Sequence, residues 1–154
     1  MIATARTRSF WVVLCAGLPT VIAAHGVPEP AEASVEVRGA YVPEPPPGQP
    51  NAALFMRLKN VGTESLTFSR VQCSLAARCE LHAHLHANGK MVMQRLSAVD
   101  LKSGGELELR PGGLHVMLIG LKAASRAGDQ VELTLLFSNG RSVPVTAVVR
   151  DMRQ

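Results

Sequence analysis

Four of the five histidines, His82, His84, His86 and His115, and three of the six methionines, Met91, Met93 and Met117, fall between positions 82 and 117. Imidazole nitrogen and thioether sulfur are both uncharged donors. Thioether is soft, binds hard cations poorly and favours Cu(I), whereas imidazole suits several metals. With no carboxylate evident among them, such a set is poor for Ca²⁺ or Mg²⁺ and indifferent for Zn²⁺. Cu(I) is the ion these donors fit best. Taken singly, none of them carries the assignment: a methionine in an apolar strand is ordinarily a core gap-filler, and His82-Ala83-His84-Leu85-His86 reads equally well as a solvated strand face. Their joint placement is what counts, because core methionines have no reason to share a face with histidines.

The elements that must position these donors read as strands. Residues two apart on a strand project from one face, so His115 and Met117 share a side, as do His82, His84 and His86, and also Met91 and Met93. Asn88-Gly89 is a strong hairpin signal that folds the second of these segments back beside the first. Short alternating runs recur along the chain, with turns at Ser103-Gly104-Gly105, Pro111-Gly112-Gly113 and Asn139-Gly140. Candidate strands are 34–40, 53–60, 65–71, 79–86, 91–96, 106–109, 113–118, 130–137 and 143–149. Val42–Pro50 holds five prolines and is expected to be a stiffened loop. About nine short strands of this kind predict an all-β, two-sheet Greek-key sandwich.

The spacing of the donors also resembles a known family. His82, ten residues, Met93, twenty-one residues and then His115-Val116-Met117 is similar to the pattern of the PCu(A)C periplasmic copper chaperones. Glu80-Leu81-His82, Asn88-Gly89 and Pro111 through Leu118 resemble that family's flanking segments, and the likeness runs from about Ser34 to Val149. The resemblance implies a cupredoxin-like β-sandwich with one Cu(I) near its surface, held by His82, Met93, His115 and Met117. It further implies delivery of copper in the periplasm, toward the copper-accepting subunit of cytochrome c oxidase or another copper chaperone. His84, His86 and Met91 are candidates for auxiliary ligation, the two histidines for Cu(II) as well as for a solvated face. Cys73 and Cys79 depart from the family pattern. A disulfide between them would close a short turn, and the alternatives are a thiolate copper site or a redox pair.

The N-terminus gives the compartment in which this chemistry is expected. Arg6 and Arg8 precede an apolar run from Phe10 to Ala24 that Gly17 and Pro19 interrupt, the pattern of a secretory signal peptide rather than a membrane span. Residues 1–24 are therefore expected to be a Sec-type signal, 25–33 a flexible leader and 34–150 the copper-binding domain. The protein would be periplasmic, without stable membrane insertion after cleavage, and membrane-anchored if the signal stays. Cys15 follows Leu14 rather than a small residue, so it is read as part of the discarded segment.

Charge and motifs exclude other classes. Without Arg6 and Arg8 the Lys+Arg total falls from 16 to 14 against 12 acids, a net charge of +2 with no basic cluster, so nucleic acid is not expected as a partner. A blue-copper electron carrier needs a cysteine ligand near the last histidine, and none follows Cys79. No Ser-His-Asp set, nucleotide loop or carboxylate pair stands out, so no enzyme is expected. Thiol-disulfide reduction by Cys73 and Cys79 is the one enzymatic alternative. Copper sequestration for tolerance would use the same ligands as delivery.

Overall fold

A computed structural model describes residues 34–87 and 89–152. The expected signal segment 1–24 and leader 25–33 lie outside the described residues. Ten strands follow in order: β1 (Val35–Pro43), β2 (Asn51–Asn60), β3 (Leu66–Cys73), β4 (Ala76–Ala87), β5 (Lys90–Leu96), β6 (Val99–Leu101), β7 (Glu106–Leu109), β8 (Leu114–Leu121), β9 (Gln130–Phe137) and β10 (Ser142–Arg150). Their period-2 burial shows why they form. Val131, Leu133, Leu135 and Phe137 of β9 are buried, and so are Val143, Val145, Ala147 and Val149 of β10, while the residues between them turn outward. The register Leu133↔Val145 and Val131↔Ala147 puts both apolar rows on one side.

Hydrogen bonding runs in the order β5-β4-β8-β2-β1-β10-β9-β3-β6, with β7 also beside β2. β2 is where this path turns from one sheet into the other. Its first part, Asn51–Leu54, pairs with β8, and its second part, Met56–Lys59, pairs with β7. β1 runs antiparallel to β2 and parallel to β10. Leu54, Leu81, Val116 and Leu118 of the first sheet pack with Phe68, Leu133, Leu135 and Ala147 of the second in one buried cluster. The result is an all-β, sandwich-like fold.

Three details differ from the sequence reading. The described residues hold ten strands rather than about nine, because Val99–Leu101 pairs with β3 and three residues are too few to show alternation. Val42 and Pro43 belong to β1 rather than to the proline-rich loop. Proline is tolerated there because it is the last strand residue, and Glu44 N–H takes up the next bond to the Arg150 carbonyl at 2.8 Å. β1 also carries a bulge between Arg38 and Tyr41, where Gly39 has φ of 61°, a conformation that only glycine adopts without strain.

Cys73 at the end of β3 and Cys79 in β4 are joined as a disulfide across a separation of six residues. β3 pairs with β9 and β4 with β8, so the bond ties one sheet to the other at the point where the chain crosses between them.

Candidate metal centre

Three adjacent strands build the centre. β4 is flanked by β8 on one side and by β5, the sheet edge, on the other. In an antiparallel pair, directly opposed residues project from the same face and diagonal neighbours lie about 7–8 Å apart, within reach of long side chains. His82 stands directly opposite His115, Glu80 opposite Met117, His84 opposite Met93 and His86 opposite Met91. Met93 and Met117 are thus both diagonal neighbours of His82, one on each side. All four expected ligands lie on one face, and Leu81, Val116 and Leu118 turn to the core on the other.

Exposure is graded across this face. His115 is 3% exposed, Met117 is half-buried and Met93 is 46% exposed. Phe55 is buried too, with its ring 6.4 Å from that of His115. The His82 and His115 rings are 6.0 Å apart. His115 Nδ1 bonds the Gly113 carbonyl at 3.0 Å, which leaves Nε2 free of that contact. Burial holds the His115 pKa below its usual 6.5, the Gly113 carbonyl works against that shift, and the neighbouring His84 and His82 add to it. A ring kept neutral is a ring able to bind metal.

His82 Nε2 lies 3.1 Å from Glu80 Oε2, and Arg95 Nε approaches the same oxygen at 3.7 Å. The bond to His82 lowers the Glu80 pKa first and foremost, against the effect of burial, with Arg95 and Arg78 assisting. Glu80 therefore puts a carboxylate beside the donors, contrary to the expectation that none lies near them. Glu80 precedes His82 by two, so the same period-2 rule that grouped the histidines would have found it. His82 Nδ1 and His84 Nδ1 are buried and have no hydrogen-bond partner among the described residues. Unpartnered ring nitrogens on this face are what a metal-accepting surface would leave.

The auxiliary candidates separate. His84 is half-buried and stacked on His115, with ring centroids 5.1 Å apart and an interplanar angle of 25°, so it is not the solvated residue its alternation allowed. Stacked rings do not aim their nitrogens at a common point. His86 and Met91 are exposed, one register step further out on the hairpin. Among the described residues no three His, Cys, Asp or Glu side chains converge to hold a metal without thioether help. Cys79 pairs with Leu118 and packs against the core, so it faces away from His82 and, in its disulfide, offers no thiolate to this face.

This geometry can be set beside known proteins. Residues 35–149 match a family model described as "Putative lipoprotein LpqE-like". "Putative lipoprotein Lxx21020" of Leifsonia xyli subsp. xyli is 36% identical over 118 residues, covering 76% of this chain and 70% of that protein. RP573 of Rickettsia prowazekii is 25% identical over 135 residues, covering 87% and 70%. Among solved structures, the copper-bound PCuAC domain from PmoF2 shares the fold, with a TM-score of 0.65, 21% identity and coverage of 79% of this chain and 96% of that one. Cu(I)-DR1885 from Deinococcus radiodurans is 28% identical, with a TM-score of 0.63 and coverage of 85% and 84%. The two-sheet fold and these matches agree, and the chain belongs to the LpqE-like family of PCu(A)C domains.

Proposed function

We propose that this protein is a copper carrier that takes up one Cu(I) through His82, Met93, His115 and Met117. The observation that supports this most is the register His82↔His115, with a thioether diagonal to His82 on either side of it and all four residues on one sheet face. The orphaned Nδ1 of His82 and the neutral, buried ring of His115 suit a cation that needs unprotonated imidazole. Two neutral thioethers favour the monovalent ion. An exposed Met93 leaves one side of the site open for loading and handover.

Structures named as copper-bound PCuAC and Cu(I)-DR1885 lend support by analogy. By the same analogy we assign the copper to delivery in the periplasm, with the copper-accepting subunit of cytochrome c oxidase as acceptor. Export fits the apolar segment at 1–24 and relatives that carry lipoprotein names. No helix among the described residues is long and apolar enough to cross a membrane. Either cleavage of the segment or its retention as an anchor would leave the domain in the periplasm.

The test is titration of the purified protein with Cu(I) against a competing chelator, comparing wild type with Met93→Ala and His115→Ala. One-to-one binding that weakens sharply in both variants is expected, and unchanged binding in both would overturn the site. Mixing the loaded protein with the apo copper-accepting domain of the oxidase tests the acceptor. Copper that stays put there would leave a storage role in place of delivery.

A further inference from the structure

The pair Glu80 and His82 carries an inference that rests on the proposed copper site and goes beyond its ligand list. The two histidines at its centre are held by different nitrogens. His115 uses Nδ1 against the Gly113 carbonyl, at 3.0 Å. A carbonyl oxygen only accepts, so Nδ1 carries the proton and Nε2 holds the lone pair. His82 uses Nε2 against Glu80 Oε2, at 3.1 Å. An ionised carboxylate also only accepts, so in the neutral His82 ring Nε2 carries the proton and the lone pair sits on Nδ1. That Nδ1 is buried and has no hydrogen-bond partner among the described residues.

We propose that Glu80 is a positioning residue that holds His82 as the Nε2–H tautomer, so that Cu(I) is met by Nδ1 of His82 and Nε2 of His115. Three features of the fold support the assignment. Glu80 and His82 are two apart on β4 and therefore project together. Glu80 also lies directly opposite Met117, which keeps its carboxylate beside the centre. Arg95, directly opposite His82 on β5, reaches the same oxygen, Oε2, and anchors it from the side away from His115. Carboxylates that accept the second N–H of a metal-bound histidine fix its tautomer and orientation and raise its basicity, and losing such a partner ordinarily costs about 10–100-fold in metal affinity. Ring orientation is otherwise a free choice between two nitrogens, and a site with the wrong one forward presents an N–H to the ion.

Imidazole nitrogen NMR on the full chain labelled with ¹⁵N-histidine reads this directly, in the apo state and after one equivalent of Cu(I). The expected result is a protonated Nε2 on His82 in both states, with the coordination shift falling on Nδ1. His115 should show the reverse pattern. Glu80→Ala and the isosteric Glu80→Gln should mix the His82 tautomers, leave the His115 pattern intact and weaken Cu(I) about 10–100-fold. If Glu80→Ala fails to fold, Glu80→Gln alone decides. Coordination through Nε2 of His82 would overturn the proposal, and so would wild-type tautomer and affinity in Glu80→Gln. A His82→Ala control separates the two levels. If it binds Cu(I) as wild type does, the copper site itself is wrong. If it loses binding while Glu80→Gln is unaffected, only the role of Glu80 falls.

Discussion

At the scale of single residues, His115 couples protonation to folding. Its folded pKa lies below 6.5 because burial disfavours the charged ring. Between that lowered value and 6.5 the unfolded ring binds a proton and the folded ring does not, so stability rises with pH through that window and is lost as pH falls below 6.5. Urea midpoints of the apo protein should therefore drop between about pH 7.5 and 5.5. His115→Gln should flatten that dependence, and an unaltered slope in the variant would remove His115 as its source. Met93 allows the converse experiment. Its side chain is 46% exposed, so Met93→Leu should shift unfolding by no more than about 0.5 kcal/mol. Cu(I) affinity should nevertheless fall, because the thioether is gone. Residue types and spacing were enough to single out the candidate donors, which the strand register then places on one sheet face. They did not show which ring nitrogen faces the centre or that His84 stacks on His115, since those depend on χ angles and neighbours set by other strands.

At the scale of elements, the β4–β5 hairpin decides whether Met93 meets the histidines. Its register Ala87↔Lys90 leaves a two-residue loop, and Gly89 takes φ of 72° there. A side chain at that φ costs about 1–2 kcal/mol. Because β5 is an exposed edge, the hairpin can fray rather than bear that strain, so Gly89→Val should weaken Cu(I) while lowering the thermal midpoint by less than the full strain would. The Cys73–Cys79 bond should behave in the opposite way. Replacing both cysteines with serine is expected to lower stability by about 2 kcal/mol, as for a short closed loop. Cu(I) affinity should hold, because the bond lies on the core side of β4. A parallel loss of affinity would mean that the bond positions the donors. Most strands were legible from alternation and turn residues, and β7 and β9 match their expected limits of 106–109 and 130–137. β6 was not, because its three residues owe their strand state to the waiting edge of β3 rather than to their own pattern.

At the scale of the whole molecule, the sandwich was legible as a class but its connectivity was not. Nothing in the run of β1 announces that Tyr41–Pro43 will lie parallel to Val148–Arg150 at the far end of the chain, because pairing between distant segments is chosen by the collapsed core. Leu54, fully buried on β2, sits at the junction of the two sheets, and Leu54→Ala should cost about 2–5 kcal/mol. Differential scanning calorimetry of that variant would check the figure. β2 lends one part of its length to the donor-bearing sheet and the remainder to the sheet behind it. Neither layer can then melt while the other stands, so heating should give a single transition whose calorimetric and van't Hoff enthalpies coincide. A cargo ion held here would leave all at once on unfolding and, short of that, where the β4–β5 edge loosens, where the imidazoles take up protons or where another ligand takes it over.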